Sequence, residues 1–203
     1  MEVSPAVCGD FSALAERLAA REVLRITLPA GVTPAAVLVP IVVIGQSPAL
    51  LFTERSNHVS DHKGQVSFPG GRIEAFDADE RAAALREAEE EIGVDRASVR
   101  VLGVLDDTVT ITGFRITPVV GVLPNGGPWR WNAAEIQSVF TVPIGELTAP
   151  GTFNAAAMTI QIAGNPVTLP AFLVGPHRIW GATCRIVLDF LDVTIGWTPP
   201  ASP

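Results

Sequence analysis

Three glutamates in the segment Arg86–Gly93, which reads R-E-A-E-E-E-I-G, have the residue type and spacing to bind a metal ion. Glu87 lies three residues before Glu90 and four before Glu91, so in an α-helix all three carboxylates face one side. Like charges at these spacings repel one another and destabilise the helix. A hard divalent cation that prefers oxygen ligands, such as Mg²⁺ or Mn²⁺, would offset that repulsion. The segment therefore predicts a metal site, with a solvated acidic helix face as the alternative.

Two neighbouring features could assist the glutamates. Arg86 could brace one of the carboxylates through a bidentate contact. The segment Ser67–Arg72 (S-F-P-G-G-R) precedes the helix, and its two glycines allow main-chain groups to approach a ligand closely. The carbonyl of Gly70 could thus add one more oxygen ligand to the metal. Taken alone, this segment is typical of an ordinary turn.

Composition restricts the class of protein. The chain has 203 residues, of which 48% are hydrophobic and 17% charged, and its formal net charge is −7. These values are typical of a globular domain with a sizeable core. Binding to a nucleic-acid backbone requires clustered Lys and Arg, so a nucleic-acid partner is not expected. An anionic substrate would have to be met by a metal ion or by a few placed basic residues.

The sequence also favours a cytoplasmic protein. Residues 1–10 lack the basic start and the apolar stretch of an export signal. The longest apolar run, Ala35–Gly45, is too short to span a bilayer and contains Pro40, so membrane association is not expected. Cys8 and Cys184 lie near opposite ends of the chain, which argues against a disulfide framework and fits a reducing compartment.

The elements that must position these residues are helices and strands mixed without regular alternation. Helical spacing predicts helices over Asp10–Glu22, over Asp77–Ile92 with Gly93 as its C-terminal cap, and over Arg178–Val193 with Trp180 in the core. Apolar and β-branched runs predict strands over Ala35–Ile44, Leu50–Arg55, Val99–Leu105, Phe114–Leu123, Val139–Val142, Ala157–Ile162 and Pro166–Val174. This order favours one α/β domain with a mixed sheet over a doubly wound parallel fold.

A family resemblance appears when these motifs are combined. Gly71, Asp77 and the run Arg86–Val94 resemble the Nudix box, in which a Gly and an acid precede R-E-U-x-E-E-x-G-U, with U an aliphatic residue. The second half of the box matches at each fixed position. In the first half, eight residues separate Asp77 from Arg86, whereas the general box would place its acid at position 78, which is Ala78 here.

The longer spacing points to one branch of this family. Leu50–Val94 resembles the coenzyme A pyrophosphatase branch, whose pattern runs roughly L-L-x-x-R-S, then H-x-G-Q-V-x-F-P-G-G, then two acids three apart, then A-L-R-E. The matching residues are Arg55, Ser56, His62, Gly64, Gln65, Val66, Phe68, Pro69, Gly70, Gly71, Glu74, Asp77, Ala84, Leu85, Arg86 and Glu87. The likeness continues more loosely through Leu102–Gly121 and returns at Arg178–Thr183.

The resemblance implies a single Nudix domain over 1–203, folded as an α/β/α sandwich around a mixed β-sheet. Residues 1–30 would form an N-terminal helical extension, and 178–195 a closing helix. The implied metal ligands of Mg²⁺ or Mn²⁺ are Glu87, Glu90 and Glu91, with the Gly70 carbonyl as a further ligand. The implied catalytic residues are Glu90, Glu87 and Arg86. Glu90 is the first choice of general base and Glu135 a weaker one.

The branch implies a small nucleotide as the substrate: coenzyme A or an acyl-CoA, cut at its diphosphate to (acyl-)4'-phosphopantetheine and adenosine 3',5'-bisphosphate. The candidates to bind this anion are Arg55, His62, Lys63 and Arg72. Arg grips phosphate through two donors, whereas Lys acts as a point charge. Two alternatives stay open: a Nudix hydrolase of another nucleoside diphosphate derivative such as ADP-ribose, and a Nudix-like binding module without catalysis.

Overall fold

The computed structural model describes residues 10–27, 31–56, 64–124, 129–162 and 164–200. Its helices are α1 (Ser12–Ala20), α2 (Glu80–Ile92), α3 (Ile144–Leu147) and α4 (Gly181–Ile195), and Arg96–Ser98 forms one 3-10 turn. Its strands are β1 (Thr33–Ile44), β2 (Ser47–Arg55), β3 (Val66–Ser67), β4 (Gly70–Arg72), β5 (Arg100–Val104), β6 (Thr108–Val109), β7 (Phe114–Val122), β8 (Ile136–Pro143), β9 (Phe153–Ile162), β10 (Asn165–Val174) and β11 (His177–Trp180).

Among the described residues, the central sheet has eight strands and is mixed. The path β3-β2-β1-β7-β5 runs through it, and β4, β6 and β8 pair with β1, β7 and β2. β1 and β7 run parallel from the pair Thr33–Phe114 to the pair Ile41–Val122. The other pairings described in this sheet are antiparallel. The predicted α/β class with a mixed sheet is confirmed.

Alternate residues of β1 contribute to hydrophobic clusters on opposite faces of this sheet, as the two-residue period of a strand requires. Leu38 packs on one face with the buried side of α2, including Ile92. Val39 packs on the other face with α1 and α4, including Leu18 and Phe190. Helices therefore cover both faces, which is the expected sandwich.

Helix α2 begins at Glu80, later than the predicted Asp77. The side chain of Asp79 caps it by accepting a hydrogen bond from the N–H of Ala82. Gly93 ends the helix with φ of 68°, a left-handed conformation that glycine adopts without strain, so the predicted cap is confirmed.

Two predicted elements are wrong. The closing helix starts at Gly181 and not at Arg178, because His177–Trp180 pair with β10 as a strand. Trp180 is thus a half-buried strand residue outside the helix, and its neighbour Ile179 is the buried one. The predicted turn at Gly70–Arg72 is a strand that pairs with β1. Partner strands decide such short segments more than local propensity does.

In the described residues, no helix has the length and apolar character needed to cross a bilayer. Cys184 is a buried free thiol, and burial raises its pKa to about 12. Cys8 lies outside the described residues. The cytoplasmic location and the single-domain organisation over 1–203 stay predictions.

A buried carboxylate ties the N-terminal segment to the sheet. The side chain of Asp107 has 0% exposure. It accepts hydrogen bonds from Oγ1 of Thr117 at 2.7 Å and from the N–H of Ile26 at 3.0 Å. Two guanidinium groups face it, with Nη1 of Arg25 at 3.4 Å and Nε of Arg115 at 3.8 Å. Loss of this carboxylate would remove the acceptor of Thr117 and Ile26 and the anion that faces Arg25 and Arg115.

We therefore expect Asp107→Ala to lower the free energy of unfolding by about 3 kcal/mol. Removing one member of a buried charged network leaves the remaining members without their partner. Urea denaturation followed by circular dichroism measures the change. Asp192→Ala, at an exposed position of α4, is the matched control and should change stability by less than about 0.5 kcal/mol. A loss below about 1 kcal/mol in Asp107→Ala would show that the network contributes little.

Candidate active site

The short strand β4 brings the glycine pair into contact with the acidic helix. The backbone N–H of Gly70 donates to Oε2 of Glu91 at 3.1 Å. A Cβ atom on Gly70 would lie 2.6 Å from Cα of Val37 on β1. Because that neighbour is backbone and cannot move aside, only glycine fits at this position.

Gly71 leaves space for a second carboxylate. It pairs with Ala36 of β1 and faces α2. A Cβ atom at Gly71 would lie 2.6 Å from both Cδ and Oε1 of Glu87. The position of the Glu87 carboxylate therefore depends on the missing side chain. Because Gly70 and Gly71 both lie on β4, this one strand helps to position two of the three glutamates, Glu91 and Glu87.

Arg86 forms hydrogen bonds with several groups of the site. Its Nε and Nη2 donate to Oδ1 and Oδ2 of Asp77, both at 3.0 Å. Its Nη1 donates to Oε1 of Glu87 at 2.8 Å and to Oε2 of Glu90 at 3.4 Å. Nη2 also donates to the carbonyl of Arg72 at 3.1 Å. The bidentate partner is thus Asp77, which is not among the three glutamates.

Burial disfavours the charged form of two carboxyl groups on α2, those of Glu87 and Glu91. Burial raises the pKa of Glu91 to about 7, and the hydrogen bond from Gly70 opposes that shift. Glu87 raises this pKa further, and so does Glu135, whereas Arg55 lowers it. Burial also raises the pKa of Glu87, against the hydrogen bond from Arg86. The site has more buried negative charge than its cations balance.

The donor set fits a hard divalent cation. Among the described residues, no group of three or more His, Cys, Asp or Glu side chains is gathered as a ready metal cluster. Glu87 and Glu90 contact Arg86, and the side chain of Glu90 is 58% exposed. Within the described part of the chain, no Lys or Arg forms a salt bridge with the largely desolvated Glu91. A cation bound by carboxylate oxygens would supply the missing positive charge.

Arg55 lies beside these carboxylates at the end of β2. Its N–H donates to the carbonyl of Gln65 at 3.1 Å, and it lies close enough to lower the pKa of Glu91. Its side-chain Nε is buried and has no hydrogen-bond partner in the described residues. The next residue, Ser56, donates its N–H to the carbonyl of Glu135 at 2.8 Å. Arg55 and Glu135 are therefore both brought to the site.

The other predicted substrate residues are placed differently. The guanidinium of Arg72 lies 5.7 Å from the ring centroid of Phe114. Successive residues of a strand point to opposite faces, so Arg72 points away from α2 when Gly71 faces it. The structure does not bring the Arg72 side chain to the glutamates. His62 and Lys63 lie outside the described residues.

One exposed aromatic ring at the site was not predicted from the sequence. Phe76 is 75% exposed, and Cζ of Arg86 lies 5.4 Å from its ring centroid. Phe76 immediately precedes Asp77 in a loop. The available sequence signal was a large apolar residue between acids in a turn. An apolar ring exposed to water at such a position indicates a contact surface.

Comparisons with known proteins decide the family. A model of the NUDIX domain matches residues 33–160. This chain belongs to the Nudix hydrolase family. It is similar to an uncharacterized Nudix hydrolase NudL of Salmonella paratyphi B, being 39% identical over 165 residues that cover 81% of this chain and 84% of that protein. The NudL of Salmonella newport gives the same identity and coverage.

A solved structure agrees with the fold. The MutT/nudix family protein from Enterococcus faecalis has a TM-score of 0.51 and 15% identity, covering 91% of this chain and 72% of that one. The chain is a Nudix diphosphatase that acts on a nucleoside diphosphate derivative. Nudix hydrolases generally use divalent metal ions such as Mg²⁺ or Mn²⁺ and bind small nucleotide substrates.

The close approach of Gly71 to Glu87 is directly testable. We expect Gly71→Ala to lower kcat about a hundredfold, since an added Cβ would displace the carboxylate by about 1 Å. The protein should still fold, because the obstructing atoms are the end of a flexible side chain. Steady-state kinetics on any cleaved nucleoside diphosphate derivative measures the effect.

Gly145→Ala is the matched control, because its Cβ would meet nothing within 4 Å. That variant should keep the kcat of the wild type. Wild-type kcat in Gly71→Ala would show that the position of Glu87 does not matter for the reaction.

Proposed function

We propose that this Nudix hydrolase cuts the diphosphate of coenzyme A or of an acyl-CoA, giving (acyl-)4'-phosphopantetheine and adenosine 3',5'-bisphosphate. One arrangement carries the proposal. Within Leu50–Val94, the segment that resembles the coenzyme A branch, Gln65 accepts a hydrogen bond from Arg55, and Gly70 donates one to Glu91. The branch motif and the Nudix box therefore meet in one site.

In this proposal, Glu87, Glu90 and Glu91 bind Mg²⁺ or Mn²⁺, and the carbonyl of Gly70 is a further ligand. When bound, the cation polarises the diphosphate and activates water. Arg86 orients Glu87 and Glu90 through the hydrogen bonds from its Nη1. Its own position is fixed by Asp77. Arg86 thus acts on the reaction by holding carboxylates.

The general base is assigned first to Glu90 and second to Glu135. The side chain of Glu90 is 58% exposed, so water reaches its carboxylate, and its contact with Arg86 at 3.4 Å is the longest that Arg86 makes within the site. Glu135 is exposed and accepts a hydrogen bond from Nδ2 of Asn132 at 3.1 Å. Either carboxylate could take a proton from water, and both lie around Glu91.

Arg55 is the foremost candidate to bind substrate phosphate. Its Nε is a buried donor without a partner in the described residues, and an unpaired buried donor is costly unless a ligand accepts from it. His62 and Lys63 are proposed from the motif alone. Arg72 is proposed as an outer contact, since its guanidinium lies on the opposite side of β4 from Glu87.

The direct test is to incubate the pure protein with coenzyme A and Mg²⁺ or Mn²⁺ and to detect adenosine 3',5'-bisphosphate by chromatography. We expect metal-dependent turnover that chelation with EDTA abolishes. ADP-ribose and other nucleoside diphosphate derivatives form the comparison panel. Efficient cleavage of one of these without cleavage of coenzyme A would overturn the substrate assignment. Binding without turnover across the panel would indicate the non-catalytic module.

A second test addresses the metal ligands. We expect Glu90→Gln and Glu91→Gln each to lower kcat about a hundredfold or more while circular dichroism stays that of the wild type, because each loses a charged oxygen ligand. Isothermal titration with Mn²⁺ should show weaker binding in both variants.

Glu89→Gln is the control on the same helix. Glu89 forms a surface ion pair with Arg96, and such pairs contribute little to stability. Its kcat should stay within about twofold of the wild type. Near-wild-type rates in both Glu90→Gln and Glu91→Gln would remove the metal-site assignment.

A further inference from the structure

The hairpin formed by β9 and β10 has an apolar face that is only partly covered. Along β9, half-buried apolar residues alternate with exposed polar ones between Met158 and Ile162. Two of them have apolar partners on β10, with Met158 opposite Leu169 and Ile160 opposite Val167, whereas Ile162 lies opposite Asn165. We call this set the outer strip: Met158, Ile160, Ile162, Val167 and Leu169.

The outer strip faces away from the hydrophobic core. Nη1 of Arg178 contacts Sδ of Met158 at 3.9 Å, which places Arg178 on the same face as the strip. Arg178 is exposed, whereas its neighbour Ile179 is fully buried in the core on the other face of β11. The half-buried apolar side chains of the outer strip therefore lie outside the hydrophobic core.

This face leads towards the carboxylates. Strand β11 ends at Trp180, and a Cβ on the following Gly181 would lie 3.7 Å from Nε2 of Gln65. Thr183 donates from Oγ1 to the carbonyl of Val66 at 3.0 Å, which fixes the start of α4 against β3. The carbonyl of Gln65 accepts from Arg55, beside Glu91. These contacts connect the end of β11, the strand that carries Arg178, with the candidate active site.

Arg178 adds a charge to this apolar face. No carboxylate forms a salt bridge with it among the described residues, although the chain has 21 acidic residues and only 14 Lys and Arg. Its one described polar contact is the weak one with the Met158 sulfur. A guanidinium left with free donors beside an apolar strip suits a ligand that is apolar along its length but contains carbonyl or anionic oxygens.

The dimensions of the strip favour a linear ligand over a protein partner. Stable protein interfaces bury roughly 20 to 30 residues a side, whereas the outer strip has five apolar residues. From Met158 to Ile162 it is about 13 Å long, since a strand rises about 3.3 Å per residue. It is two strands wide, or about 5 Å between strand axes. These dimensions match an extended hydrocarbon chain lying along the hairpin.

We propose that the outer strip binds the acyl chain of an acyl-CoA, with Arg178 donating to the amide carbonyls of the pantetheine arm that carries this chain. This inference rests on the proposed function and adds a preference for acylated over free coenzyme A. Each buried methylene strengthens binding roughly fourfold. The KM for acyl-CoA should therefore fall as the acyl chain lengthens from two to ten carbons, whereas kcat should change little.

The test compares Ile160→Glu with Thr159→Glu, neighbours whose side chains point to opposite faces of β9. We expect Ile160→Glu to raise the KM for decanoyl-CoA about tenfold or more, because a carboxylate would face the chain, and to leave the KM for free coenzyme A within about twofold. Thr159→Glu should leave both values within about twofold. Arg178→Ala should raise the KM for coenzyme A and decanoyl-CoA alike.

The outcomes separate this inference from the proposed function. The inference alone would be overturned if the wild type cleaves coenzyme A but the ratio of the KM for decanoyl-CoA to the KM for coenzyme A is the same in Ile160→Glu and Thr159→Glu. No turnover of coenzyme A or any acyl-CoA by the wild type would overturn the proposed function and the inference with it. Light scattering distinguishes a protein contact: a change of oligomeric state in Ile160→Glu with unchanged KM values would assign the strip to a second copy. Circular dichroism checks that each variant folds.

Discussion

The candidate site depends on one buried guanidinium. Three glutamates at helical spacing repel one another, and the side chain of Arg86, only 11% exposed, is the cation that contacts two of them. The same group binds Asp77 in the preceding loop and the carbonyl of Arg72 on β4. Helix, loop and strand are thus held together through a planar fork of donors whose geometry a lysine could not reproduce.

The glycine pair makes this arrangement sterically feasible. β4 lies against β1 on one side and α2 on the other, and side chains at Gly70 or Gly71 would collide with Val37 or Glu87. The carboxylates are consequently positioned by hydrogen-bonded strands and a capped helix. Placement on such rigid elements limits the loss of orientation that a flexible loop would allow, and reactions of this kind are sensitive to about 1 Å of displacement.

Much of this site could be predicted from the sequence, because its central feature is periodic. Helical spacing alone places Glu87, Glu90 and Glu91 on one face, and Gly93 marks the end of that helix. The partners of Arg86 could not be assigned in this way. Spacing along a helix indicates which residues share its face, whereas the contact with Asp77 depends on how the loop returns to the helix.

The placement of Arg72 and Trp180 shows a different limit. A turn leaves side-chain direction open, but a strand assigns it by alternation, so Arg72 must point away from the face that Gly71 presents to α2. Likewise, residues His177–Trp180 form β11 because their backbone pairs with that of β10. Helix α4 therefore begins only after Trp180. Strands of three or four residues carry little sequence signal of their own, and β4 in addition pairs with β1, which lies far away along the chain.

The distribution of charge decides which groups of the protein can bind the phosphates of a substrate. The protein has a formal net charge of −7 and its site concentrates carboxylates, so an anionic diphosphate is repelled there unless a cation or a guanidinium such as that of Arg55 offsets the charge. Arg86 is already occupied by four acceptor groups. In the proposed function, phosphate recognition therefore falls mainly to the cation and Arg55, and neither of these distinguishes one diphosphate from another. Selection among substrates has to come from surfaces beyond the box helix, where contacts with the remaining parts of the substrate are made.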